Sequence, residues 1–162
     1  LIKGVAAVLI CRIVVTDVMD VTFFGDSKFI GYLAGFIVMI GHIFPVFYGF
    51  HGGKGVLLAA TTLLTIDLLT CALSVGVFIL LVVITKYVSV GSIAAAISYP
   101  IFTFIVQSFI IKYPEGVIPN TIVAALIGAV IVYMHKPNIQ RLMNGTENKF
   151  GSKKNKEQTE EN

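Results

Sequence analysis

Five apolar stretches, at residues 4–16, 29–50, 55–85, 88–111 and 117–134, decide what this chain can fold into. A helix needs roughly 17–25 apolar residues to cross a bilayer, and several of these runs reach that length. Only 13% of the 162 residues are charged, about half the share of an ordinary soluble domain. The fold class predicted is an all-α polytopic membrane protein. Residues 1–143 form one transmembrane helical domain, and the polar residues 144–162 read as a disordered cytoplasmic tail. Cys11 and Cys71 both lie in apolar runs and read as small buried hydrophobes. The chain opens at Leu1 already inside an apolar pattern, which predicts an upstream segment; the recurrence of apolar runs argues against a cleavable leader.

The predicted helices cover about 2–16, 29–46, 92–111 and 118–134. The run 55–85 reads either as one tilted helix or as two shorter ones turning near Thr70–Gly76. Charge placement chooses between them. With a hairpin there are about six spans, and Lys3, Lys54, Lys86, Lys136, Arg141, Lys149, Lys153, Lys154 and Lys156 share one side. The other side keeps Lys28 and Lys112 among Asp17, Asp20, Asp26 and Glu115. Basic residues collect on the cytoplasmic side of membrane proteins, so the hairpin is preferred. It places three polar clusters, 49–55, 86–92 and 135–145, on one cytoplasmic face.

The first cluster is Gly52-Gly53-Lys54-Gly55, within GHIFPVFYGFHGGKG (41–55). Glycines let backbone N–H groups approach an anion, and lysine adds a full charge. The loop precedes a helix whose first N–H groups lack intrahelical partners, which suits a phosphate. It is not a Walker A loop, since Tyr48 and Gly55 stand where glycine and a hydroxyl residue are needed. A flexible turn with a cytoplasmic lysine is the plainer alternative. The second cluster is Lys86-Tyr87-Val88-Ser89-Val90-Gly91-Ser92. Ser92 reads as a helix N-cap, which leaves Ser89 free to face a ligand. In the third, Pro137 ends the last span and starts a short amphipathic helix lying on the membrane interface. His135, Asn138 and Arg141 recur every three residues and share a face. An imidazole, an amide and a guanidinium suit a phosphorylated ligand; an interfacial anchor is the plainer reading.

His42 reads as a general base or, more simply, as a packing hydrogen bonder, and His51 as a solvated loop residue. Asp67 and Arg12 stand within apolar runs, where charge is costly, and a structural ion pair is the simplest expectation. No HExxH, Cys/His cluster or GxSxG occurs. Neither a metal, a cofactor nor a nucleophilic serine is expected. The basic tail is interrupted by Glu157, Glu160 and Glu161, which gives nucleic-acid binding no support.

Taken together, GHIFPVFYGFHGGKG, KYVSVGSI and HKPNIQRLMNGTENKFG resemble the later motifs of the bacterial PlsY-type acyl-phosphate:glycerol-3-phosphate acyltransferases. The resemblance runs from Leu1-Ile2-Lys3-Gly4 to about residue 151. It implies a family fold of seven membrane helices, of which this chain carries about six, in the bacterial inner membrane with a cytoplasmic active face. It implies acyl transfer from acyl-phosphate to the sn-1 hydroxyl of glycerol 3-phosphate, giving lysophosphatidic acid, with no obligatory protein partner. Carried over by position, Lys54 and the loop at Gly52, Gly53 and Gly55 hold phosphate, and Ser89 or Ser92 matches the serine of the middle motif. His135 and Asn138 contact glycerol 3-phosphate, and His42 matches a histidine of open role. Lys86 stands where many relatives have arginine, and Leu57-Leu58 where Ala-Thr is usual. The family's first Gly-Ser-Asn-rich motif has no counterpart, so the resemblance implies an incomplete site.

An acyl phosphate is already activated, so positioning and charge stabilisation suffice and no covalent intermediate is required. The rival reading is a small membrane transporter for a phosphorylated solute, which Asp67, Arg12 and a half-helix near Lys54 would suit. The chain shows no internal repeat to favour it. A plain membrane scaffold would leave the three polar clusters without a purpose.

Overall fold

The computed structural model describes residues 6, 8–11, 13–14, 27–45, 52–112 and 115–151. Most of the first expected span, with Arg12, lies outside the described residues, as do Asp17, Asp20, Asp26, His51 and residues 152–162. The described elements are all helical: α1 (Ser27–Ile43), α2 (Val56–Ile66), α3 (Leu68–Thr85), α4 (Val88–Ile105), α5 (Val117–Met134) and α6 (Lys136–Met143). A π-helical turn, Val106–Ile111, extends α4. Three runs, Leu68–Thr85, Val88–Ile111 and Val117–Met134, are long and apolar enough to cross a bilayer, while α1 and α2 are apolar but shorter. The bundle is sorted for a lipid solvent. Leu68, Ile84, Ile97, Ile101 and Ile122 are exposed, while Thr62, Thr70, Thr103, Gln107 and Asn120 are buried. Polar side chains in such a bundle face inward because hydrocarbon offers them no partner.

The 55–85 run breaks into two helices, though at Asp67 and not at Thr70–Gly76. The reason is a cap: the Asp67 carboxylate accepts from the Thr70 backbone N–H at 3.2 Å and starts α3. Cys71 Sγ lies 3.6 Å from the Ala60 carbonyl, which shows the chain folding back on itself. Asp67 is thus a buried capping residue at the hairpin tip. The second polar break is also shorter than expected. Lys86 takes a left-handed conformation (φ 62°) that closes α3, and only Tyr87 separates it from α4. Ser92 therefore lies inside α4 and is not its N-cap.

α4 packs between α3 and α5, and α1 closes the bundle against α2 and α5. The α4–α5 contact has a specific cause. Pro100 inside α4 has no N–H to offer the Ala96 carbonyl four residues back. Gly128 of α5 lies against that freed carbonyl, and a Cβ there would collide with it. This close approach brings the start of α4 and the end of α5 together at one end of the bundle. The start of α2 joins them, as the contacts below show.

Candidate active site

Four segments converge at that end: the loop before α2, the first turn of α4, α6, and residues 144–151. Lys54 Nζ donates to Asn138 Oδ1 at 2.6 Å. Asn138 Nδ2 donates to Ser89 Oγ at 2.8 Å and to Glu147 Oε1 at 2.7 Å. Ser89 Oγ donates to the same Glu147 oxygen. Arg141 Nε donates to Glu147 Oε2 at 2.7 Å in an ion pair. The charges set the amide's orientation. An ammonium needs an acceptor and a carboxylate needs donors, so Oδ1 faces Lys54 and Nδ2 faces Glu147. Asn138 is 4% exposed, and every polar atom of its side chain is engaged.

Glu147 anchors the network. Its burial disfavours the charged form, but hydrogen bonds from Ser89, Asn138 and Arg141, with the charge of Arg141, more than offset that and hold its carboxyl at about 2. The polar composition of 144–162 concealed this residue. Residues 144–151 do not behave as tail: the Phe150 N–H donates to the Lys86 carbonyl at 2.6 Å, and Lys149 stands 5.9 Å from the Tyr87 ring centroid. The signal available in the sequence was a lone acid, Glu147, six residues after Arg141 in a basic segment.

His135 ends α5 and is 2% exposed. Its Nδ1 lies 2.8 Å from the Ile131 carbonyl, which can only accept, so Nδ1 carries the proton. In the neutral ring Nε2 is then left as an acceptor. Burial, with the nearby Lys54 charge, lowers its pKa, against an opposing pull from the Ile131 bond and Glu147. Its surroundings thus favour the neutral ring. α6 begins directly after it, with Pro137 in the first turn, and turns Asn138 and Arg141 toward Glu147 as their spacing predicted.

The glycine loop is shaped by contact with the end of α1. A Cβ on Gly52 would run into the His42 carbonyl, and one on Gly53 would lie 2.6 Å from His42 Nε2. His42 thus braces the loop; among the described hydrogen bonds it takes no part in the Lys54 network. Gly55, at φ 78°, starts α2 without a side-chain cap, leaving the first N–H groups of the helix beside Lys54. Ser89 belongs to the network, whereas Ser92 is buried one turn deeper and lines an apolar cavity of about 410 Å³ between α2, α3 and α4.

Comparison with known proteins gives the family. The family described as glycerol-3-phosphate acyltransferase matches residues 1–145. The glycerol-3-phosphate acyltransferase of Clostridioides difficile (strain 630) is 40% identical over 153 residues, 94% of this chain and 68% of that protein. The chain belongs to the glycerol-3-phosphate acyltransferase family. The family's protein from Chlorobaculum parvum is 38% identical (73% of this chain, 57% of that one), and that from Acholeplasma laidlawii 34% identical (94% and 69%). The chain therefore spans between 57% and 69% of the length of these three relatives. The fold matches crystal structures of PlsY (YgiH), an integral membrane glycerol 3-phosphate acyltransferase, at a TM-score of 0.61 and 33% identity. The match covers 77% of this chain and 70% of the glycerol 3-phosphate form or 71% of the lysophosphatidic acid form. As a member of this acyltransferase family, the chain is an integral membrane protein, as its apolar helices require.

Proposed function

We propose that this chain carries the phosphate-handling site of an acyltransferase that moves a fatty acyl group from acyl-phosphate to the sn-1 hydroxyl of glycerol 3-phosphate. The observation that carries this reading is the Lys54–Asn138–Ser89–Glu147 network, drawn from distant segments to one end of an apolar bundle. Lys54 and the free N–H groups at the start of α2 meet the charge of a phosphate. Glu147 does not oppose that charge strongly, because Arg141 neutralises it. Its task is to hold Asn138 and Ser89 still. Neutral His135 offers Nε2 to a hydroxyl of the acceptor. The acyl chain lies in the apolar cavity that starts at this level.

The acceptor oxygen attacks the acyl carbonyl, the carbon–oxygen bond to phosphate breaks, and phosphate leaves. The departing phosphate oxyanion is basic enough to carry the hydroxyl proton away, and because the acyl phosphate is already activated no nucleophilic side chain is needed. Catalysis then rests on preorganised charge. The basic clusters share the end that carries the network, which supports a cytoplasmic active face in the bacterial inner membrane. The test is Lys54→Ala in the protein in full. Turnover is expected to fall on the order of 10²-fold or more, the scale for one preorganised donor. Near-normal turnover would overturn the role.

A further inference from the structure

The apolar cavity continues from the network toward the middle of the bundle. Along α4 it is lined by Val88, Ser92 and Tyr99, spaced so that one helix face forms its wall. It opens sideways at Leu57 of α2 and Val75 of α3, which are exposed on the lipid side. Its deep end is closed: Leu63, Cys71 and Tyr99 are 3%, 6% and 2% exposed. Beneath this floor the interior turns polar. Tyr32 stacks on Tyr99 with ring centroids 6.3 Å apart, and Asp67, one turn deeper than Cys71 at the start of α3, is buried together with Thr70, the residue it caps.

Resting on the acyltransferase reading, we infer that Leu63, Cys71 and Tyr99 gauge the length of the acyl chain. From Val88 to Tyr99 the helix rises about 16 Å. An extended hydrocarbon advances about 1.25 Å per carbon, from C–C bonds of ~1.52 Å at tetrahedral angles. About 13 carbons fit below the carbonyl, so a donor of about 14 carbons fills the groove. The donor comes from a bilayer, whose tails are as apolar as the groove, so burial alone discriminates little. Selection comes from misfit. A longer chain must displace its carbonyl from the site, push its methyl end into the polar layer around Asp67, or turn back out through the side opening at Leu57 and Val75, and each gives up contacts that a fitting chain keeps. A shorter chain leaves a void and forfeits only dispersion contacts. The gauge therefore cuts sharply on the long side and gently on the short side.

The experiment is a series of saturated acyl-phosphates of 10 to 18 carbons, assayed with glycerol 3-phosphate on the protein in full in liposomes. The expected kcat/KM peaks near 14 carbons, drops about tenfold or more by 18, and declines less steeply toward 10. Cys71→Phe, which raises the floor, should move the peak shorter by roughly two to four carbons; Leu63→Ala, which lowers it, should move the long-side limit outward. Should Cys71→Phe fail to accumulate in the membrane, Leu63→Ala decides alone. Acyl transfer with a profile that these substitutions leave in place overturns the gauge. Absence of transfer from every donor overturns the acyltransferase reading and the gauge with it.

Discussion

Replacing Glu147 by glutamine tests whether its charge holds the site together. The substitution keeps an oxygen for Asn138 and Ser89 but removes the charge and turns an amide donor toward Arg141. The carboxyl is held at about 2 against an ordinary 4.5, an interval equivalent to roughly 3 kcal/mol. Arg141 is 45% exposed, so solvent screening reduces this to about 2 kcal/mol. For a chain of this size that corresponds to an apparent melting shift on the order of 5 °C. Because the folded pKa lies below the unfolded one, the stabilisation is fully present above pH 4.5 and is lost as pH falls toward 2. Thermal unfolding in mild detergent at pH 7, 5 and 3 measures it. Wild type should exceed Glu147→Gln by about 2 kcal/mol at pH 7 and by less than half of that at pH 3. Equal midpoints at pH 7, or a gap that does not shrink in acid, would refute the reasoning.

Two further outcomes are expected. A histidine-selective NMR titration should place His135 below 6.5, because the ring is buried, and Lys54→Met should move it upward by removing a nearby positive charge. A titration that Lys54→Met leaves unmoved would contradict the proximity of the two. Gly128→Leu should destabilise the bundle by about 2 kcal/mol or more, since even a Cβ meets the Ala96 carbonyl. Thermal unfolding reads this, and a variant as stable as wild type would show that α4 and α5 do not meet there.

The helical membrane fold was legible because apolar run length is a local property, and α1, α4 and α5 fall close to the expected ranges. The same-side placement of Lys54 and Lys86 followed from charge, and the Lys54–Asn138–Ser89 contacts agree with it. What escaped depends on single side chains. The hairpin tip falls earlier than expected because the Asp67 carboxylate caps α3, a role that the apolar pattern around it does not signal; its expected partner Arg12 lies outside the described residues. Ser92 reads as a cap because an unbroken apolar segment follows it, yet the left-handed Lys86 lets α4 start at Val88. Glu147 was hidden by composition: a charged stretch reads as solvated, and only the fold reveals three donors waiting for one carboxylate.

The most direct measurement is reconstitution of the purified protein in liposomes with palmitoyl-phosphate, glycerol 3-phosphate or both. Lysophosphatidic acid and inorganic phosphate should form in equal amounts, only when both substrates are present. Glycerol 3-phosphate entering the vesicles with no acyl product, or phosphate release that ignores the acceptor, would contradict the account.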